Sequence, residues 1–302
     1  MRALVTGATG FVGGRLARAL EDAGADVRCM VRDRSRAEHL VRRGYEMHEG
    51  DVSRPETLEG AGGDVDVAYY LIHGMGRGGN KDFEAREREA AGAFARMARE
   101  EGVRRVVYLG GLGRPTSQHL RSRHETAQVL KAEGPPLTYF RAAMVVGSQS
   151  ESFKVLRHLV ERLPVMIAPA WLATRTQPIG IDDVLAYLVK APDTPASEGR
   201  EVQIGGPDVL TYGEMLDVMA EALGRRPRPK LPVPFLTPRL SSLWIGLVTP
   251  VDTGVARPLV EGLSTETTVD DTSGAALFDV EPRPLAETLR TAVEAERAEA
   301  AA

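Results

Sequence analysis

The chain has 302 residues, of which 43% are hydrophobic and 26% charged, as is typical of a globular protein and not of a disordered or fibrous one. Its formal net charge of −4 provides no overall attraction to nucleic acid or to an anionic membrane. A single cysteine, Cys29, excludes an internal disulfide and a cysteine-built metal site. The chain does not open with a charged segment and an apolar stretch, which predicts a cytoplasmic protein.

Short apolar runs alternate with amphipathic helical patterns in the first half of the chain. The runs, rich in Val, Leu and Tyr, predict buried parallel strands. They are RALVTG, DVRCMVR, YEMHEGDV, VDVAYYLIH, RRVVYLGG and LTYFRAAMVVG. Helical patterns lie between them at residues 11–23, 36–43, 54–58, 83–101 and 118–132. The strict alternation predicts an α/β fold, a Rossmann doubly wound parallel sheet with helices on both faces.

The alternation becomes less regular after Gly147. SFKVLRHLVERLPVM predicts a helix that ends at Pro164, and REVQIGG predicts a further strand. LTYGEMLDVMAEALGR predicts a helix that begins after Thr211 and is closed by Gly224. Residues 294–302 are expected to form a frayed helical tail.

A glycine cluster lies between the first strand and the first helix, in the sequence TGATGFVG. Such a turn uses one glycine to bend tightly, one to let the backbone approach a pyrophosphate and one to let helix and strand pack closely. The amino terminus of the helix stabilises the phosphate charge. The cluster predicts a dinucleotide site formed by Gly7, Thr9, Gly10, Phe11, Val12 and Gly13. A structural turn without a ligand is the alternative.

The residues that follow the second and third strands bear on the choice of dinucleotide. Arg32 stands where an arginine suits the 2′-phosphate of NADP, so NADP(H) is favoured over NAD(H). Asp33 is adjacent and suits NAD instead, and a solvated charge run is the remaining alternative. After the third strand, Asp51 and Val52 are predicted to contact the adenine, although Asp51 also suits a helix amino terminus.

Together, TGATGFVG, VRDR, GDV and PIGIDDVLAYLVKA…GGPDVLTYGEML resemble the atypical and extended short-chain dehydrogenase/reductase superfamily. The similarity is strongest to the NAD(P)H-binding group that includes NmrA-like proteins and relatives of the complex I accessory subunit. The resemblance implies an NAD(P)-binding Rossmann domain over residues 1–150, completed by segments near 176–206. It also implies that residues 151–302 form mostly a smaller substrate lobe and the C-terminal region.

Catalytic members of this superfamily carry a Ser or Thr after the fifth strand and a Tyr four residues before a Lys on the next helix. This chain has Gly110 and Gly111 at the first place, and His119 and Arg123 at the second. The resemblance therefore implies that His119 exchanges a proton and that Arg123 holds the nicotinamide ribose. An exposed helical histidine and a surface arginine are the alternative.

Other residues are predicted to line the same crevice. Leu71, Ile72 and His73 follow the fourth strand and are expected to pass beside the cofactor, as are Gly110 and Gly111 after the fifth strand. Arg141 suits either an anionic substrate or a surface ion pair. The apolar stretch 163–179 is interpreted as a lid.

These features favour an NADPH-dependent oxidoreductase that acts on a small, fairly apolar carbonyl or enone substrate. The alternative is a non-catalytic NAD(P)H-binding redox sensor or scaffold. Neither a metal site nor nucleic-acid binding is expected. The apolar stretch 231–251 is interrupted by prolines, so stable membrane insertion is not expected, and packing against the lobe or a homodimer contact explains it better.

Overall fold

The computed structural model describes residues 1–72, 82–233 and 263–301. Its strands are β1 (Arg2–Thr6), β2 (Asp26–Val31), β3 (Glu46–Glu49), β4 (Val67–Tyr70), β5 (Arg105–Gly111), β6 (Leu137–Ala142), β7 (Val145–Val146), β8 (Met166–Ala168), β9 (Arg175–Thr176), β10 (Ile179–Gly180), β11 (Glu201–Ile204), β12 (Leu210–Thr211) and β13 (Lys230–Pro232). Its α-helices are α1 (Phe11–Asp22), α2 (Glu38–Arg42), α3 (Asp82–Glu100), α4 (Gln118–Glu133), α5 (Glu151–Arg162), α6 (Ile181–Lys190), α7 (Tyr212–Ala222) and α8 (Leu285–Ala301).

Seven strands form one parallel sheet in the order β11-β6-β5-β4-β1-β2-β3. The predicted Rossmann doubly wound fold is therefore confirmed. The order reverses between β1 and β4, and at such a switch point the chain leaves adjacent strands in opposite directions and opens a crevice at their carboxyl ends. The glycine turn after β1 lies at this crevice.

Both faces of the sheet are covered, which explains the nearly continuous apolar strands. On one face, Val5 and Val107 pack with α1 and α6 in a buried cluster. On the other face, Leu4 and Tyr108 pack with α3 and α4.

A third buried cluster is formed by α5, α7 and α8 with the short segment around Trp171. Thr211 caps α7 as predicted, and it shares a capping box with Glu214. Gly224 follows this helix at a φ of +70°, in the left-handed region that favours glycine. The division of the chain near residue 150 stays a prediction.

Some local expectations are corrected. The helical pattern at 54–58 is a 3₁₀ turn, Pro55–Thr57, and Gly60 follows it at a φ of +80°, in the left-handed region that does not continue a helix. Residues 294–301 continue α8, as the helical pattern predicts, and the side chains of residues 294–299 are half-buried or exposed. Trp171 and Leu172 of the predicted lid are also buried. Among the described helices, none is long and apolar enough to cross a membrane, and residues 234–251 of the stretch 231–251 lie outside the described part.

Candidate functional site

The turn after β1 brings the backbone of three glycines close together. Gly7 has a φ of +64°, a conformation that L side chains rarely adopt. The Gly10 amide donates to the Gly7 carbonyl at 2.8 Å, which closes the turn. A Cβ added to Gly13 would collide with that same carbonyl oxygen. The first turn of α1 therefore packs directly on the backbone of the loop, as the sequence predicts for Gly7 and Gly13.

The amino terminus of α1 has the features of an anion site. Gly10 is its N-cap residue and provides no side-chain hydrogen bond, and the first turn contains no acidic residue. Thr9 and Gly10 are exposed, and Phe11 and Val12 are half-buried. The unpaired N–H groups and the positive end of the helix dipole are thus available to a phosphate.

Two polar residues that the sequence analysis missed hold this turn in place. The buried Thr6 hydroxyl donates to the Tyr69 carbonyl and accepts from the Leu71 amide, both at 3.0 Å. Arg15 lies over the Phe11 ring, 4.4 Å from its centroid, and donates to the Ser148 carbonyl at 3.0 Å. Only side-chain contacts between distant segments identify these roles.

The end of β4 lies against the glycine turn. A Cβ on Gly7 would lie 2.7 Å from the Leu71 carbonyl oxygen, so the two loops are in close contact. Leu71 is buried and Ile72 is half-buried. The predicted contact His73 lies outside the described residues.

At the end of β2, the side chains of Arg32 and Asp33 differ in their hydrogen bonds and ion pairs. The Arg32 side chain is exposed and has no hydrogen bond or ion pair within the described chain. The Asp33 carboxylate accepts from the Ser35 hydroxyl at 2.6 Å and from the Ser35 amide at 2.9 Å, and it pairs with Arg36 at 3.5 Å. The Ser35 hydrogen bonds lower the pKa of Asp33. Asp33 therefore caps a short 3₁₀ helix, while Arg32 faces solvent.

Asp51 and Val52 follow β3. One oxygen of Asp51 accepts from the Ser53 amide at 2.9 Å and from the Ser53 hydroxyl at 2.7 Å. Partial burial raises the pKa of Asp51, but the Ser53 hydrogen bonds and the nearby positive charge of Arg32 outweigh it and lower the pKa overall. Asp51 is half-buried and Val52 is buried.

On α4, His119 and Arg123 are in direct contact one turn apart. The Arg123 Nε donates to His119 Nε2 at 3.0 Å, and a second Arg123 nitrogen donates to the Leu109 carbonyl at 3.2 Å. Burial, together with the Arg123 charge, lowers the pKa of His119 to about 3. The imidazole is therefore neutral at physiological pH. Its Nε2 accepts a hydrogen bond, whereas a catalytic acid would donate one.

Gly110 and Gly111 at the end of β5 make room for other side chains. A Cβ on Gly110 would lie 2.7 Å from Cε2 and 2.8 Å from Oη of Tyr139. A Cβ on Gly111 would lie 2.7 Å from the Leu120 side chain and 3.4 Å from Arg123. Glycine at these two positions lets Tyr139 and α4 approach the end of β5.

Arg141 forms an ion pair, which is one of the two roles that the sequence allows for it. Its guanidinium donates to the Gly111 carbonyl at 3.1 Å, to the Gly113 carbonyl at 2.5 Å and to Glu201 at 2.6 Å. The side chain is 15% exposed. Arg141 therefore ties the loop after β5 to β6 and β11.

The part of the chain with described coordinates contains no group of three or more His, Cys, Asp or Glu side chains that could hold a metal. The groups at the carboxyl edge of the sheet are instead backbone amides, the exposed Arg32 and a helix amino terminus. This donor set suits a phosphorylated ligand.

Residues 7–150 match the protein family described as NAD(P)H-binding. This part of the chain is an NAD(P)H-binding domain. The resemblance to the atypical short-chain dehydrogenase/reductase group is confirmed by this match together with the similar proteins below.

Three similar proteins illustrate the range of this group. A mitochondrial NADH dehydrogenase [ubiquinone] 1 alpha subcomplex subunit 9 of Arabidopsis thaliana is 27% identical over 77% of this chain, which spans only 60% of that protein. The NAD(P)H azoreductase of Xenophilus azovorans is 24% identical over 74% of each chain. The structure of Citrobacter sp. triphenylmethane reductase complexed with NADP(H) has a TM-score of 0.76 and 19% identity, and covers 97% of this chain and 100% of its own.

Proposed function

We propose that the protein is an NADPH-dependent oxidoreductase that reduces a carbonyl or a conjugated alkene on a small, uncharged, fairly apolar substrate. The reaction class is supported by the NAD(P)H-binding domain and by the reductase names of two of the similar proteins. An uncharged substrate is supported by Arg141, because each of its three guanidinium nitrogens already donates to a protein acceptor.

The observation that carries the choice of NADPH is the contrast between Arg32 and Asp33. An NAD site uses a free carboxylate at the end of the second strand to accept from the ribose hydroxyls. Both oxygens of Asp33 are already engaged, by Ser35 and Arg36. Arg32 is free to pair with a 2′-phosphate.

In this proposal each element of the site has a distinct task. The N–H groups of the first turn of α1 bind the pyrophosphate, and Asp51 accepts from the adenine amino group. Thr6 keeps the end of β4 against the glycine turn and so excludes water from beneath the dinucleotide. When bound, the reduced nicotinamide supplies a hydride.

Arg123 and His119 act by position and charge in this proposal, and not as an acid–base pair. Neutral His119 orients the Arg123 guanidinium through the 3.0 Å hydrogen bond. The positive charge lies next to the end of β5, where it stabilises negative charge that develops on a substrate oxygen.

Calorimetric titration of the purified protein with NADPH, NADH and NADP⁺ tests the proposal. We expect NADPH to bind more tightly than NADH and Gly10→Asp to abolish binding, because a carboxylate there fills the phosphate position and repels it. Oxidation of NADPH is then measured with a panel of enones and quinones. Binding without turnover across the panel would favour the redox sensor, and absence of dinucleotide binding would overturn both functions.

A further inference from the structure

The residues at the end of β5 carry no side-chain hydroxyl. The residues there are Gly110 and Gly111, so neither can donate a hydrogen bond from a side chain to a substrate oxygen. Neutral His119 cannot donate from Nε2, because that nitrogen accepts from Arg123. A reaction that places negative charge on a substrate oxygen still needs a donor near this point.

Tyr139 occupies the space that a side chain on Gly110 would fill. In the parallel pairing of β5 and β6, Tyr139 lies beside Tyr108, and the two rings are stacked with centroids 5.2 Å apart at 19°. The Tyr139 ring extends from there toward the carboxyl edge, so that its hydroxyl oxygen lies 2.8 Å from the position of a Gly110 Cβ. The phenol oxygen thus lies next to the point where a side chain on Gly110 would begin.

The Tyr139 hydroxyl is free to serve as a donor. It has no hydrogen-bond partner within the described residues. Among those residues, Thr288 Oγ1 is the one side-chain polar atom that is fully buried and has no partner. Tyr139 is 5% exposed, and its oxygen is not fully buried. Burial raises the pKa of Tyr139 to about 12; the charge of Arg141 opposes this rise, that of Glu201 adds to it and that of Arg123 opposes it, and the phenol keeps its proton at neutral pH.

We propose that Tyr139 supplies the hydroxyl missing at Gly110 and donates its proton to the substrate oxygen; this role rests on the proposed oxidoreductase function. In carbonyl reduction the substrate carbon gains a C–H bond from the hydride of NADPH, and the electron pair of the C=O π bond moves to oxygen. An O–H bond then forms with the Tyr139 proton, and water returns a proton to the phenolate, which Arg123 and Arg141 stabilise until then.

The first test compares Tyr139→Phe with the wild-type protein. Phenylalanine keeps the stacked ring and removes only the hydroxyl, so the melting temperature and the affinity for NADP⁺ should be unchanged. With cyclohexenone and NADPH, kcat should fall about 100-fold. The control is Tyr187→Phe, which removes the hydroxyl of another buried tyrosine, packed on Phe140 and Phe278 on the other face of the sheet, and should retain wild-type kcat.

A second readout is independent of turnover. The infrared carbonyl stretch of isotope-labelled cyclohexenone is recorded on the protein with NADP⁺, where no hydride is available. A hydrogen bond from Tyr139 should shift the stretch to lower frequency in the wild-type and Tyr187→Phe proteins, and the shift should be lost in Tyr139→Phe. Equal spectra for wild type and Tyr139→Phe would overturn the proposal.

A swap places the hydroxyl back on β5. Tyr139→Val opens the space beside Gly110 and should lower kcat, and adding Gly110→Ser should restore kcat at least tenfold. No recovery in a folded double variant that binds NADP⁺ would contradict the shared position. A wild-type protein that binds NADPH but oxidises it with no enone or quinone would instead refute the oxidoreductase function, and the role of Tyr139 with it.

Discussion

Arg123 donates from Nε to His119 Nε2 at 3.0 Å, one helical turn away on α4. This hydrogen bond fixes the ionisation of the histidine, because an imidazolium would present an N–H to the donor of a guanidinium. Burial and the Arg123 charge lower the pKa of His119 to about 3, well below that of an unfolded chain, which is about 6.5.

The first prediction concerns stability. Between about pH 6.5 and pH 3 the unfolded chain binds a proton at His119 that the folded protein does not bind, so stability is lost as the pH falls. The free energy of unfolding should decrease by about 1.4 kcal/mol per pH unit more in the wild type than in His119→Gln below about pH 6. Urea unfolding at pH 6.5, 5.5 and 4.5 measures this difference, and parallel pH dependences of the two proteins would contradict it.

The second prediction concerns the rate. Since His119 stays neutral, the pH profile of kcat/KM for NADPH oxidation between about pH 5 and pH 8 should contain no inflection that disappears in His119→Gln. The variant keeps an acceptor near Arg123, so its rate should stay within about tenfold of wild type. An inflection near pH 6.5 seen only in the wild type would make His119 a titrating proton donor after all.

The third prediction tests the role of Arg32 in cofactor choice. Arg32→Glu places a negative charge where the 2′-phosphate of NADPH is proposed to bind, so affinity for NADPH should fall about 100-fold, while NADH affinity should change less than about threefold. Calorimetry measures both. Arg18→Glu is the matched control, because it makes the same charge change at an exposed position on α1. A similar loss for NADH and NADPH would show a general electrostatic effect.

The strands and most helices of the sheet were predictable because their signals are local. Buried parallel strands need continuous apolar residues, and helices such as α7 carry their own cap in Thr211 and Glu214. The glycine turn was also predictable, because the spacing of Gly7, Gly10 and Gly13 is typical of a turn with no room for side chains.

The chemistry at the end of β5 was not predictable, because it depends on contacts between residues distant in sequence. His119 suggests a proton donor until its burial and its contact with Arg123 are known. Gly110 shows in the sequence that a side-chain hydroxyl is missing there. Only the register of β5 and β6 shows that Tyr139 fills the space beside Gly110. In the same way, the sequence position of Asp33 suits binding to the ribose of NAD, but its carboxylate instead accepts hydrogen bonds from Ser35.

The fourth prediction concerns the packing of the glycine turn. Gly13→Ala places a Cβ into the Gly7 carbonyl, so α1 must move away from the loop. The free energy of unfolding should fall by about 1–3 kcal/mol, and NADPH binding should be lost. Gly63→Ala is the control, because its Cβ would meet nothing closer than 3.6 Å and it should remain stable. Normal NADPH binding by Gly13→Ala would contradict the role of this turn.

The fifth prediction separates a structural from a substrate-binding role for Arg141. A lysine keeps the charge but cannot reach the Gly111 carbonyl, the Gly113 carbonyl and Glu201 together. Losing two of these hydrogen bonds should lower the free energy of unfolding of Arg141→Lys by about 2 kcal/mol. The exposed Arg200→Lys should change it by less than about 0.5 kcal/mol. If Arg141→Lys is as stable as wild type but loses affinity only for carboxylate-bearing substrates, Arg141 is a substrate ligand, because a purely structural guanidinium cannot distinguish one substrate from another.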